Sequence, residues 1–365
     1  MIRMNDFVSE PPELQQEELA AVERVFRSGF YILGKEVQRF EEAWAKFCGV
    51  RFCAGVANGM EAIDLGLRAL DIGPGDEVIT TPMTAIATVL AIIHAGATPV
   101  LADVDPESIL LDLESVERCL TSSTKAILLV HLYGQVRAPE TWASFCAKKN
   151  IHLLEDCAQA HGARSASKHA GTFGTWGAFS FYPTKNLGAK GDAGAIVTSS
   201  EKIAARVKSL RNLGTTKRYE HSEPGFNSRL DELQAAILST RLHWLERFNA
   251  RRREIAKRYF AEITNPRIQL LSPPIASENH VYHLFVVRCA ERDRLGHYLK
   301  ERGIETLIHY PIPVHRQECC RNVRFDSRGL TNAETHAAQC LSVPCHPQVR
   351  DEDVTAIIAA VNQFE

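Results

Sequence analysis

The sequence has no long hydrophobic run, almost no net charge and no paired-cysteine spacing, and each absence removes a class of protein. Its most apolar stretch, AIATVLAIIHAGATPV (85–100), carries Thr88 and His94 and is broken by Gly96 and Pro99. A membrane span needs about 20 uninterrupted apolar residues, so no membrane role is expected. The start, Met1-Ile2-Arg3-Met4-Asn5-Asp6, has no apolar stretch behind a basic end, and no secretory leader is expected. Lysine plus arginine total 42 against 44 aspartate plus glutamate, a net charge of −2. That balance leaves no basic footprint for nucleic acid. The ten cysteines are scattered, and none forms a Cys-x-x-Cys pair. They read as small buried hydrophobes of a reducing, cytoplasmic protein, with no metal expected.

What is present is ordinary for a folded domain. Hydrophobic residues make up 45% and charged residues 24%, which excludes disorder of the whole chain. A length of 365 residues predicts about two domains at roughly 150 residues each. Seven short runs bounded by turn residues predict strands: 52–57, 77–81, 99–104, 126–131, 151–156, 178–182 and 194–199. Apolar spacings of three and four predict helices over 60–70, 84–95 and 139–149. Strand and helix thus alternate as βαβ units, which predicts an α/β fold with a mostly parallel, seven-stranded sheet. The last two runs are joined by PTKNLGAKGDA (183–193) with no helix, so an antiparallel or irregular element is expected there. From Arg229 to Ile263 one face is marked by Leu230, Leu233, Ile237, Arg241, Trp244, Phe248, Ile255 and Tyr259. That is one long helix or two with a kink near Asn249. Beyond it the composition becomes mixed, with a helix expected from Arg292 to Arg302. The expected division is a large domain over 1–245 and a small α+β domain over 246–365.

Open parallel sheets present ligands beyond the C-terminal ends of their strands, and three chemically loaded segments fall there. The first is Asn58-Gly59-Met60-Glu61, where a glycine opens a helix whose free amides suit an anion. The second is Glu155-Asp156-Cys157-Ala158-Gln159-Ala160-His161. A carboxylate ending an apolar strand needs a partner, a cation or a helix to cap. The third runs from Ser180 to Gly188 and carries Lys185. Lysine forms Schiff bases with carbonyls once desolvation lowers its pKa. A phosphate-binding helix start, an aspartate for a pyridinium nitrogen and a lysine for an aldehyde are the parts that pyridoxal 5'-phosphate requires.

At these residues the sequence resembles the nucleotide-sugar aminotransferases of the DegT/StrS group, which have the PLP-dependent transferase fold of type I. The resemblance runs nearly end to end. It is carried by SGFYILGKEVQRFEEAWA (28–45), GVANGMEAIDL (55–65), IGPGDEVIT (72–80), IATVLAIIHAGATPVLADVD (86–105), HLYGQ (131–135), LEDCAQAHGA (154–163), FSFYPTKNLGAKGDAGAIVT (179–198), LRNLGTT (210–216), NSRLDELQAAIL (227–238) and GIETLIHYPIPVH (303–315). It implies that Lys185 bonds the cofactor aldehyde and moves the proton, and that Asp156 keeps the pyridine nitrogen protonated. Gln159 falls near the 3-hydroxyl, while Gly59, Met60 and Ser180 fall on the phosphate. Asn227 matches an asparagine that reaches the phosphate of a neighbouring subunit, which implies a homodimer with shared sites.

Two positions depart from the family pattern. Met60 stands where many relatives have a serine or threonine, so one hydroxyl to the phosphate is lost. Ala85 stands where many have an aromatic residue over the cofactor ring, leaving Tyr31, Tyr182, His161 and Met83 as candidates to cover it. The combination of NGMEAIDL, EDCAQAHGAR, HLFVVR and TLIHYPIPVH looks most like enzymes of dTDP-linked 3-keto-6-deoxyhexoses, with L-glutamate as amino donor. Tyr31, His161, His309 and Tyr310 are the candidate substrate contacts. The 4-keto sugar and keto-inositol enzymes are the enzymatic alternatives, and a cofactor-sensing regulator is the non-enzymatic one. Dehydratases of the group carry histidine in place of the lysine, and Lys185 argues against that reading.

Overall fold

The computed structural model describes residues 1–365. All seven expected strands form: β1 Phe52–Val56, β2 Glu77–Thr80, β3 Thr98–Leu101, β4 Thr124–Val130, β5 His152–Asp156, β6 Trp176–Ser180 and β7 Gly194–Thr198. Three further strands, β8 Gln269–Leu270, β9 Phe285–Arg288 and β11 Cys340–Val343, form a separate antiparallel sheet, and β10 is Arg324–Phe325. The main sheet has the order β1-β7-β6-β5-β4-β2-β3-β10. It is therefore eight-stranded, not seven-stranded. The extra edge strand β10 lies parallel to β3 and is too short to carry a period. It is pinned from outside, where Asp326 accepts hydrogen bonds from Ser115 and Arg118. Only β7 runs against its neighbours, as the helix-free 183–193 connection predicts.

Twelve α-helices surround the sheets: α1 Pro12–Ser28, α2 Lys35–Cys48, α3 Gly59–Arg68, α4 Ile86–His94, α5 Leu113–Cys119, α6 Pro139–Lys149, α7 Glu201–Leu210, α8 Glu232–Leu242, α9 Leu245–Glu262, α10 Arg292–Glu301, α11 Thr331–Gln339 and α12 Asp351–Asn362. In α2 the residues Val37, Phe40, Trp44 and Cys48 recur at helical spacing and are buried against Phe179, Phe181 and Leu238. The other face of the sheet is covered by α3, α4 and α7 through Ile63, Leu67, Ile92 and Val207. There Gly66 is required by a close approach, since a Cβ would lie 2.7 Å from the Trp176 ring. A third apolar cluster, from Ile255 to Phe364, packs α9, α10 and α12 on the small sheet.

The long helical stretch is two helices, and the break falls at His243–Trp244 rather than near Asn249. At the break His243 N–H donates to Thr240 and Trp244 N–H to Arg241, a tightened turn with i→i−3 bonds. Asn249 stays helical because its side chain has other work: it donates to the His161 carbonyl and accepts from Asn186.

Candidate active site

Strand register brings the three loaded segments to one edge. Val56 pairs with Gly194, Gly194 with Ser180, and Ala178 with Asp156. The ends of β1, β7, β6 and β5 are thus neighbours at the C-terminal edge of the parallel strands. Beyond β1, the Asn58 side chain accepts from Glu61 N–H at 2.9 Å and caps α3. Its carbonyl accepts from Ala62 at 3.1 Å. The amides of Gly59 and Met60 remain as the open donors of the helix end. The packing behind them tolerates no side chain. A Cβ on Gly59 would lie 2.5 Å from the Ser180 Cβ, and one on Gly194 would lie 2.4 Å from the Asn58 carbonyl.

Asp156 ends β5 with 5% exposure. Its Oδ2 accepts from Thr88 Oγ1 at 2.8 Å and its Oδ1 from Ala158 N–H at 3.0 Å. Because Thr88 donates its one hydroxyl proton to the carboxylate, Thr84, 2.7 Å away, donates to Thr88. Thr88 was not among the expected site residues. Its signal was a hydroxyl at the start of an otherwise apolar helix.

Lys185 lies half-buried in the β6–β7 connection, where its N–H donates to the Tyr182 carbonyl at 2.9 Å. A Cβ on Gly188 would meet the Pro183 carbonyl at 2.3 Å, so this turn closes only around glycine. Burial lowers the Lys185 pKa to about 8, and the Asp156 charge opposes that fall. Burial and the Lys185 charge likewise hold His161 at about 3 and His309 at about 4, and keep His283 well below its usual value. The three rings are neutral at pH 7.

Gln159 joins the sheet edge to the segment near 310. Its Oε1 accepts from Tyr133 N–H at 2.6 Å, and its Nε2 donates to Tyr310 Oη at 3.1 Å. Burial, with the Asp156 charge, raises the Tyr310 pKa to about 12, so the phenol stays protonated. His309 Nδ1 lies 2.8 Å from Ser342 Oγ. Gly59, Met60, Asp156, Gln159, Ser180, Lys185, His309 and Tyr310 therefore gather at one place.

The remaining candidates do not gather there. His161 has 0% exposure, and its ring is enclosed by Trp44, Phe179 and Phe181 at 5.4–6.0 Å. It lies in the aromatic layer beneath Lys185, whose charge it senses, rather than on the open face. Tyr31 is 47% exposed on the outside, beside Phe26. Asn227 is exposed and bridges to Asn212. Of the residues considered for covering the ring, Met83 is fully buried and Tyr182 is exposed.

A buried His131, Glu155 and Cys157 group lies beside the site. Glu155 accepts from His131 Nε2, Gly171 N–H, Phe173 N–H and Gly174 N–H at 2.7–2.9 Å. Its four acceptor positions are filled, and it anchors the 171–174 turn.

A model of the DegT/DnrJ/EryC1/StrS aminotransferase family matches residues 12–362. The chain is 48% identical over 351 residues to the dTDP-3-amino-3,6-dideoxy-alpha-D-galactopyranose transaminase of Aneurinibacillus thermoaerophilus, covering 96% of both chains. It is 42% identical over 354 residues to the dTDP-3-amino-3,4,6-trideoxy-alpha-D-glucose transaminase of Streptomyces venezuelae, covering 96% of this chain and 93% of that one. The X-ray structure of S. venezuelae DesV in complex with a ketimine intermediate superposes with a TM-score of 0.95 at 41% identity, over 99% of this chain and 98% of that one. The chain belongs to the DegT/DnrJ/EryC1/StrS aminotransferase family.

Proposed function

We propose that this PLP-dependent aminotransferase moves the amino group of L-glutamate to the 3-keto carbon of a dTDP-linked 6-deoxyhexose, giving a dTDP-3-amino-3,6-dideoxyhexose. The observation that carries the reading is the juxtaposition at one sheet edge of a glycine-led helix start packed on Ser180, the buried carboxylate of Asp156 and the amine of Lys185. These residues fit pyridoxal phosphate. The open amides of Gly59 and Met60, with the Ser180 hydroxyl, suit its phosphate. Asp156, aimed by Thr88 and the Ala158 amide, suits its pyridinium nitrogen. Gln159 lies where it would meet the 3-hydroxyl. When bound, the cofactor supplies an aldehyde for the amine and a ring that takes up electrons.

The chain's own residues supply the rest. A lysine pKa of about 8 leaves roughly a tenth of the amine neutral at pH 7, able to act as nucleophile and as base. Asp156 keeps a positive charge favourable next to it. Tyr310, protonated and accepting from Gln159, presents its own proton to a substrate oxygen, and the neutral His309 imidazole lies in the adjoining position of the chain. The identities to two 3-amino-sugar transaminases support the 3-keto sugar over the 4-keto and inositol alternatives. Turnover with dTDP-3-keto- and dTDP-4-keto-6-deoxyhexoses plus glutamate tests this, and amination of the 4-keto sugar alone refutes it. An intact lysine, aspartate and glutamine set speaks against a cofactor-sensing regulator.

We further propose a homodimer that shares its two sites. In its support, Asn227 faces outward and is free to serve a second copy. Leu19, Phe26, Phe30, Tyr31 and Ile32 expose apolar surface around the α1–α2 connection. Sedimentation that reports only a 40.6 kDa species at micromolar concentration contradicts this. The same reading keeps a large unit over 1–245 and a small one over 246–365, supported by the separate apolar cluster from Ile255 to Phe364. No helix is long and apolar enough to cross a membrane.

A further inference from the structure

The HLYGQ turn after β4 contains a residue that bonds both to Gln159 and to the His309 carbonyl. We propose that Tyr133 is a positioning residue that locks Gln159 and the His309–Tyr310 segment into one unit, with its backbone amide on the glutamine and its hydroxyl on the His309 carbonyl. The proposal rests on the aminotransferase reading and adds to it a residue that touches neither cofactor nor sugar.

The geometry is closed. Tyr133 N–H donates to Gln159 Oε1 at 2.6 Å, and Gln159 Nε2 donates to Tyr310 Oη at 3.1 Å. Tyr310 follows His309 in the chain, and the His309 carbonyl accepts from the Tyr133 hydroxyl. The ring Tyr133–Gln159–Tyr310–His309–Tyr133 therefore contains three hydrogen bonds and one peptide link. Donor logic fixes each direction. A backbone amide only donates, so the glutamine oxygen must face Tyr133 and its amide nitrogen must face Tyr310. The carbonyl of His309 only accepts, which uses the single proton of Tyr133. His336 Nε2, 2.8 Å from the same hydroxyl, must then be the donor to it. Burial and the nearby Arg288 charge hold His336 at about 3, so its imidazole is neutral with one proton to give. The His336 Nδ1 has no partner, which fits a proton carried on Nε2 and none on Nδ1. Tyr310 Oη is left with its proton unassigned and available to a ligand.

The backbone is bent to make this possible. Tyr133 has φ 60° and ψ 1°, a left-handed conformation that is unusual for a bulky side chain. Gly134 follows with φ 97°, where a Cβ would lie 2.7 Å from the Gln159 carbonyl. Two successive left-handed residues turn the amide of Tyr133 to Gln159 while its ring, 2% exposed, enters the apolar seam with Met83, Leu284 and Cys340.

Tyr133→Phe separates the two functions of the residue, because it keeps the amide and removes the hydroxyl. The expected result is about a ten-fold rise in the calorimetric Kd for an unreactive dTDP-6-deoxyhexose lacking the keto group. A similar rise is expected in KM for the keto sugar. The rate of the absorbance change on adding glutamate to the pyridoxal phosphate form should stay within about two-fold, since Lys185 and Asp156 are untouched. His336→Asn removes the donor to the hydroxyl and should raise the same Kd about three-fold. An unchanged Kd in both variants, or a glutamate half-reaction that falls in step with sugar affinity, overturns the proposal. Wild-type protein that stays colourless with pyridoxal phosphate, or does not respond to glutamate, refutes the aminotransferase reading itself. A yellow, glutamate-responsive wild type whose sugar affinity ignores Tyr133 refutes only the clamp.

Discussion

Gly59, Asp156, Ser180 and Lys185 leave neighbouring strands of one sheet, whereas His309 and Tyr310 arrive on a segment from the far end of the chain. The first set is held by backbone ladders. Ser180, Gly194 and Val56 are consecutive partners across three strands, and no side chain fits between Gly59 and Ser180. The second set is flanked by backbone bonds, from Leu307 to Ser342 and from Val314 to Pro82, but His309 and Tyr310 themselves are set by side chains, through Tyr133, Gln159 and Ser342. A ladder shares its load over many bonds, so no single side chain sets its positions. Two residues whose side-chain and carbonyl contacts sit between such anchors can be retuned by a single substitution. That division suits an enzyme whose cofactor chemistry is constant across a family while its sugar varies.

If the division is right, damage to the ladder half should reach cofactor and both half-reactions, and damage to the seam should reach the sugar alone. The largest effect is expected from Lys185→Ala, which removes nucleophile and base together. Turnover should fall by about 10³-fold or more, and the purified variant should be colourless beside a yellow parent. Equal colour in both would show that Lys185 is not the anchor. Gly59→Ala comes next. Its new Cβ cannot coexist with Ser180 at 2.5 Å, and overpacking of this kind costs about 1–3 kcal/mol. Cofactor retention on dialysis, followed by visible absorbance, should weaken about 10- to 100-fold, with both half-reactions falling together. Retention at the parent's level would mean that the helix start does not carry the phosphate.

Tyr310→Phe probes the other half. The ring remains, Gln159 Nε2 loses its acceptor, and one donor to the sugar disappears. We expect KM for the keto sugar to rise about ten-fold while the glutamate half-reaction changes by less than about three-fold. A loss of cofactor colour in this variant would erase the distinction between the halves.

The same division explains what was legible in the sequence. Strand ends, a helix-opening glycine and a lysine in a Gly-rich connection are local patterns, and each fell where the period of the chain predicted. Thr88, Glu155 and Tyr133 were not found because their roles exist only across space. Thr88 reaches Asp156 from helix α4, Glu155 collects amides from a turn beyond its own strand, and Tyr133 bonds to His309 and His336. His161 lies away from the open face for a related reason. A histidine in a site motif reads as a ligand, but here the five residues after Asp156 turn it under the sheet edge into the Trp44, Phe179 and Phe181 layer. The eighth strand was missed because two residues have no alternation to read. The misplaced break near Asn249 came from treating a polar residue as a helix breaker when it was bonding outward to Asn186 and His161.

The smallest expected effect is the sharpest probe of the ladder half, because it concerns how Asp156 and Lys185 act on each other before any cofactor is present. Burial pulls the lysine pKa down to about 8, and the Asp156 charge pulls it back up. Only the neutral amine can attack an aldehyde. In cofactor-free protein the rate of pyridoxal phosphate uptake should therefore rise with pH through a midpoint near 8 and level off above it, since the cationic form dominates below. Asp156→Asn keeps an oxygen for Thr88 and removes the negative charge. The negative charge that favours the ammonium is lost while burial is unchanged, so the midpoint must move to lower pH and uptake at pH 7 must become faster, even as turnover falls. A stopped-flow pH series on the two proteins measures both midpoints. A shift to higher pH, or none, would mean that the carboxylate does not sense the lysine, and that the two are neighbours on the sheet edge without being electrostatic partners.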